Sequence, residues 1–236
     1  MEKKNVNDCN GNAAKFEGVK SSKTIELVFI LDRSGSMAGM EKDTIGGFNA
    51  MIEKQKAING RVYVSTVTFS NYSTVLHDRD KIGNILPLTE KDYQVGGGTA
   101  LLDAVGDAIH HIGNIHKYIR KEDVPEKTLF VITTDGMENA SRRYTYKDIK
   151  EKIRRQEEEY GWEFLFVADN IDVAQTAESM GIRRECATSY RVKEDTSLFY
   201  EEMSQAIASC RETGQVPVGW ADKIRKNTKE NKSKNI

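Results

Sequence analysis

Along the chain, short dense apolar runs alternate with longer segments in which apolar positions recur every three to four residues. Residues 25–31 (IELVFIL) form the first run, with the length and branched side chains of a strand buried on both faces. In residues 43–58, Ile45, Phe48 and Ile52 recur at helical spacing, so one face is apolar and the rest polar. Residues 61–69 (RVYVSTVTF) alternate in part and are rich in β-formers, which marks a second strand. Asn71 and Tyr72 make a turn, and residues 73–77 are expected to return as an antiparallel edge strand. The stretch 78–98 is polar, with Pro87 and several Gly, and reads as a long connection of the kind that often carries function.

The second half repeats the alternation. Leu101, Val105, Ile109, Ile112 and Ile119 set a helix, and residues 127–134 are a second core strand. Ile149, Ile153 and Tyr160 mark a further helix, with Gly161 where a left-handed terminating residue is wanted. Residues 162–167 are a strand, 173–180 a short helix ended by Gly181, and 184–188 a last edge strand. Leu198, Phe199, Met203, Ala206, Ile207 and Cys210 then recur at helical spacing in a closing helix. Strands alternating with helices predict an α/β fold: a doubly wound, largely parallel six-stranded sheet with one antiparallel edge strand and helices on both faces. In the order 3-2-1-4-5-6, strands one and four are neighbours whose following helices go to opposite faces, which leaves a crevice at their carboxyl ends.

The candidate chemistry falls at that crevice. Asp32-Arg33-Ser34-Gly35-Ser36 follows the first strand, Gly96-Gly97-Gly98-Thr99 precedes a helix, and Thr133-Thr134-Asp135-Gly136 follows the fourth strand. Carboxylates and hydroxyls converging on one sheet edge suit a hard cation, which takes oxygen ligands and leaves room for water or an outside oxygen. Three successive Gly let the Thr99 loop approach closely. Each piece has a plainer reading: Ser34, Gly35 and Ser36 as turn formers, Asp135-Gly136 as a turn pair, Thr99 as a helix cap. Turn chemistry does not require a carboxylate after each of two core strands and a Thr on a third loop, so the joint metal reading is preferred.

At these residues the chain resembles the von Willebrand factor A (VWA) domain family, whose metal-ion-dependent adhesion site has the form Asp-x-Ser-x-Ser, then a distant Thr, then a distant Asp. The resemblance implies a Rossmann-like VWA fold with Asp32, Ser34, Ser36, Thr99 and Asp135 as metal ligands. It also implies a magnesium ion, with manganese or calcium as alternatives, and a partner protein that donates an Asp or Glu carboxylate. No catalytic residue is expected. The runner-up function is a magnesium-dependent phosphotransferase or hydrolase using Asp32, but such enzymes commonly carry a second acid two residues on, where this chain has Ser34. Phosphate-loop, dinucleotide and nucleophile-elbow motifs are absent.

Size and charge narrow the rest. At 236 residues and a formal charge of −1, one α/β domain is expected and nucleic acid is not the default partner. The expected division is an N-terminal extension over 1–22, the VWA domain over 23–212 and a flexible basic tail over 213–236, where six Lys and Arg from Lys223 onward face only Asp222 and Glu230. No membrane span or secretory leader is evident. Cys9, Cys186 and Cys210 are odd in number and far apart, which fits a reducing, cytoplasmic setting and the intracellular bacterial branch of the family. His110, His111 and His116 lack the i, i+4 spacing of paired metal ligands. Lys54, Lys56, Arg142 and Arg143 read as solvated charges, and Tyr144 and Tyr146 as packing or border residues near Asp135.

Overall fold

The computed structural model describes residues 24–169, 172–190 and 192–227, without the side chains of 192–196. Six strands, β1 (Thr24–Asp32), β2 (Arg61–Phe69), β3 (Ser73–Lys81), β4 (Lys127–Thr134), β5 (Glu163–Ala168) and β6 (Ala187–Ser189), form one sheet in the order β3-β2-β1-β4-β5-β6. All neighbours are parallel except β2 and β3. The expected topology and strand order are therefore observed. β1 sits at the centre, with Leu27 opposite Val64 on one side and Leu129 on the other. Residues 25–31 are almost wholly excluded from water, which is why this run carries no polar alternation.

Among the described residues five helices cover the sheet: α1 (Glu41–Lys56), α2 (Leu101–Tyr118), α3 (Tyr146–Tyr160), α4 (Val173–Met180) and α5 (Val192–Thr213). α1 packs on α5, while α2, α3 and α4 form a second contiguous layer. The α1–α5 layer is locked by particular contacts. Tyr200 of α5 fills the space left by Gly47 of α1, where a Cβ would lie 2.0 Å from its ring. Arg211 of α5 donates to Gln55 O at 2.6 Å, Gln55 Oε1 at 2.9 Å and Ile58 O at 2.8 Å, so the free carbonyls at the end of α1 find a partner. Thr145 and Asp148 form a reciprocal capping box on α3, and Gly161 ends that helix at φ 63°.

Three segments differ from the sequence expectation. β3 runs on to Lys81, past a register irregularity at which Arg79 takes φ 53° and its N–H donates to Ser65 Oγ. Ile82, Ile85, Leu88 and Tyr93 of the following connection are buried, so it is a packed loop with a polar outer surface. The last strand begins at Ala187, because Arg184–Cys186 forms a single 3₁₀ turn. Packing also continues past residue 212. Trp220, Ala221 and Ile224 enter the core, and Trp220 Nε1 and Arg225 bond to carbonyls of Glu185 and Ala187. The expected extension over 1–22 and residues 228–236 of the expected tail lie outside the described residues. Among the described residues no helix is long and apolar enough to cross a membrane.

Candidate metal centre

β1 and β4 are hydrogen-bonded neighbours, with Leu31 opposite Thr133, so Asp32 and Asp135 leave the same sheet edge side by side. Asp32 is buried and both its oxygens are engaged. Oδ1 accepts from Ser34 N at 2.7 Å and Oδ2 from Thr134 Oγ1 at 2.5 Å. The Tyr93 hydroxyl donates to the Asp32 carbonyl from below. After Ser34 the chain makes a 3₁₀ turn over Gly35–Met37, anchored by buried Met37 and Met40. This turn presents Ser34 and Ser36 together, their Oγ atoms 3.0 Å apart, and Ser36 Oγ donates to Asp135 Oδ1 at 2.5 Å.

The Gly-rich loop is laced onto this turn. Gly35 N donates to Gly97 O at 3.0 Å and Gly96 N to Arg33 O at 2.9 Å. Gly98 sits between Asn71 and Asn139, whose side-chain oxygens would lie 2.9 and 2.8 Å from any Cβ there, so a larger residue has no room. Asn139 clamps Thr99 from both sides, accepting from its N–H at 2.8 Å and donating its own N–H to Thr99 O at 3.1 Å. Thr99 does not occupy the N-cap position of α2; Ala100 does, with no side-chain cap. Glu138 supplies an acceptor to that helix end instead, through Leu102 N at 2.9 Å.

Gly136 locates the convergence. A Cβ on it would lie 3.1 Å from Ser36 Oγ, 3.1 Å from Thr99 Oγ1 and 4.0 Å from Ser34 Oγ. The three hydroxyls thus surround the residue that follows Asp135, and Asp32 bonds to the backbone of Ser34 beneath them. Asp32, Ser34, Thr99 and Asp135 are buried and Ser36 is exposed, so the group opens to solvent on the Ser36 side.

Burial raises the pKa of Asp32 above the usual carboxylate range, against the lowering effect of its bonds from Thr134 and Ser34. Burial likewise raises that of Asp135, opposed by the Ser36 bond and reinforced by the charge of Asp32. Among the charges that act on Asp135, those of Asp32 and Asp169 both raise its pKa further. Two buried carboxylates bordered by three hydroxyls suit a small hard cation. A His or thiolate site is a different matter: among the described residues no three His, Cys, Asp or Glu gather as a metal-binding group.

The remaining candidates lie elsewhere. His110 meets Asn114, His111 meets Asp78 and His116 meets buried Glu26, so the three histidines do not converge. Tyr144 packs on α2, where a Cβ at Gly106 would come within 2.5 Å of its ring. Arg143 pairs with Asp107, Lys54 with Glu201 and Lys56 with Glu53. Sequence reading took Asn71 only as a turn residue and did not single out Tyr93, Asn139 and Glu138; the roles of all four arise from contacts between loops distant in sequence. Asp103 belongs with them: its carboxylate accepts from the N–H groups of Arg142, Arg143 and Tyr144 and fixes the loop after Asp135.

Residues 13–158 match the sequence profile of the family described as VWA domain containing CoxE-like protein. No protein of curated function matches the sequence significantly. Solved structures share the fold at low identity. The vWF domain of the type V pili tip protein Mfa5 from Porphyromonas gingivalis superposes at TM-score 0.62 and 10% identity, covering 83% of this chain and 99% of its own. Proximal thread matrix protein 1 of the mussel byssus, solved with a zinc-occupied MIDAS motif, gives 0.57 and 13%, covering 79% and 48%. A von Willebrand factor type A protein from Catenulispora acidiphila gives 0.50 and 14%, covering 78% and 42%. The chain thus spans about half the length of the latter two.

Proposed function

The chain belongs to the VWA family, a family known for metal-dependent protein interaction, and from that premise we propose that it is a binding module whose cation is held by Asp32, Ser34, Ser36, Thr99 and Asp135. A bound magnesium or manganese ion, or calcium in their place, supplies an electrophilic position that an Asp or Glu of a partner protein can fill. The observation that carries this reading is the approach of the Ser34, Ser36 and Thr99 hydroxyls to Gly136, beside the two buried carboxylates Asp32 and Asp135.

The protein's own residues do the positioning. Thr134 and the Ser34 amide hold the Asp32 carboxylate in one orientation, and Asn139 fixes Thr99 through its backbone. With few carboxylates and several neutral hydroxyls, such a site leaves much of a cation's charge unsatisfied, which favours an anionic outside ligand. Both Asp32 oxygens accept hydrogen bonds, which supports a role as positioned ligand over one as nucleophile. Buried free thiols at Cys186 and Cys210 accord with a cytoplasmic setting.

Calorimetric titration of magnesium and manganese into chelator-treated protein tests the metal centre. Binding of one ion, abolished by Asp32→Ala, is the expected result. Recovery of a partner that depends on divalent cation and is lost with Asp135→Ala tests the interaction, and a partner retained equally in chelator and in that variant would move the interface elsewhere.

A further inference from the structure

A second cleft lies at the opposite end of the sheet. α2 begins beside Thr99 and runs to His116, about 22 Å further along its axis at the rise of an α-helix, where His116 Nε2 bonds to Glu26 near the start of β1. Between the end of α2, the start of β5 and α3, a cavity of about 550 Å³ opens, within the usual range for small-molecule sites. Its floor includes Ile109, Pro125 and Trp162, and the Trp162 ring is fixed by stacking on Phe130 at 5.2 Å and by the edge of His116 at 5.5 Å.

Charge is segregated around this cavity. Lys117, Lys152 and Arg155 line it, and no Asp or Glu does, although α3 itself carries Asp148, Glu151, Glu157, Glu158 and Glu159. Glu159 engages Arg155 through Nε from outside the lining; the Lys152 ammonium lies 5.3 Å from the Tyr144 ring centroid, where its charge also reaches Asp148, and the Lys117 ammonium lies 5.3 Å from that of Tyr118. Neutral donors and acceptors, Asn114 and Gln156, complete the polar wall, and exposed Tyr160 borders it. Gly113 keeps the cleft open: a Cβ there would meet only Gln156 Nε2, at 3.7 Å.

We propose that this cleft binds an organic phosphate of mononucleotide size, with the phosphate held by Lys117, Lys152 and Arg155 and the ring against Trp162 and Tyr160. Three lining cations, of which Arg155 alone is held in an ion pair among the described residues, match a group carrying two negative charges. The apolar floor and aromatic border match a planar ring, for which a bare anion has no use. An acidic peptide is the poorer match, since it needs an extended groove or a free strand edge and the edge strands β3 and β6 lie elsewhere in the sheet.

The test is calorimetric titration of the full chain with AMP, inorganic phosphate and adenosine. Chelator is present throughout, so the metal centre takes no part and the two proposals fail separately. AMP should bind, and phosphate and adenosine should each bind about tenfold more weakly or worse, because each keeps half of the contacts. Combined Lys152→Glu and Arg155→Glu should weaken AMP about tenfold or more. Gly113→Leu, which suits a helix and projects into the cleft, should abolish binding while the melting temperature holds. Arg154→Glu, on the same helix outside the lining, should bind as wild type; should the double variant fail to fold, Lys152→Gln with Arg155→Gln reports the same contacts. Absence of AMP binding at millimolar concentration, AMP affinity unchanged by Gly113→Leu, or phosphate binding as tightly as AMP would each overturn the proposal.

Discussion

Replacing Asp135 by Asn should invert the order of stability between wild type and variant when metal is added. In metal-free protein, burial and the nearby Asp32 charge raise the Asp135 pKa above its unfolded value. The folded state therefore holds that proton more tightly, so the stabilising contribution is present at acid pH and is lost as pH rises through the folded pKa. At neutral pH the ionised carboxylate is therefore a net cost to the metal-free fold. Asn keeps an acceptor for Ser36 Oγ and carries no charge, so metal-free Asp135→Asn should melt at or above wild type. Metal reverses this. At a free concentration about ten times Kd, linkage adds about 1.4 kcal/mol to wild type, or about 3–6 °C for a domain of this size, and nothing to the variant. Calorimetric melting at pH 7 in chelator and in magnesium or manganese measures all four values. A wild-type curve that does not move at saturating metal, or a variant that moves as far as wild type, would refute the reasoning.

Ser34→Ala and Thr99→Ala should keep native circular dichroism at a cost of about 1 kcal/mol each, because each removes one hydroxyl at the sheet edge while the strands stay intact; both positions are nonetheless buried, and loss of the folded spectrum would make those hydroxyls structural. Asp103→Ala leaves the N–H groups of residues 142–144 without their acceptor and should cost about 1–3 kcal/mol in urea titration at pH 7. Burial raises the Asp103 pKa, but the three N–H bonds outweigh it and the net shift is downward. Its contribution is thus present above the unfolded pKa and lost as pH falls through the folded one, so the difference from wild type should shrink only in acid; a gap independent of pH would contradict this. Gly46→Ala and Gly47→Ala form a matched pair on α1: the first meets nothing within 4 Å and should stabilise by up to about 1 kcal/mol, whereas the second meets the Tyr200 ring and should destabilise. Equal effects would mean that Tyr200 swings away without cost.

Legibility in the sequence followed the range of the interactions concerned. β1 and β4 are continuous apolar runs because they are buried on both faces, and the amphipathic helices announce themselves by period. Ile82, Ile85, Leu88 and Tyr93 escape this reading because their spacing matches neither a helix nor a strand, and polar neighbours mask four buried anchors. Trp220, Ala221 and Ile224 are hidden in the same way by Lys223, Arg225 and Lys226. At the candidate centre, Asp32, Ser34 and Ser36 share a local pattern. Thr99 owes its place to Asn139, forty residues on, and to Gly98, which only Gly can occupy between Asn71 and Asn139. The Lys117, Lys152 and Arg155 cleft lies at the far end of that scale. Each of its cations reads locally as a solvated helix charge, and only the packing of α2 against α3 brings them into one lining with Trp162. What one element determines can be read along the chain, and what two elements determine jointly emerges only when they pack.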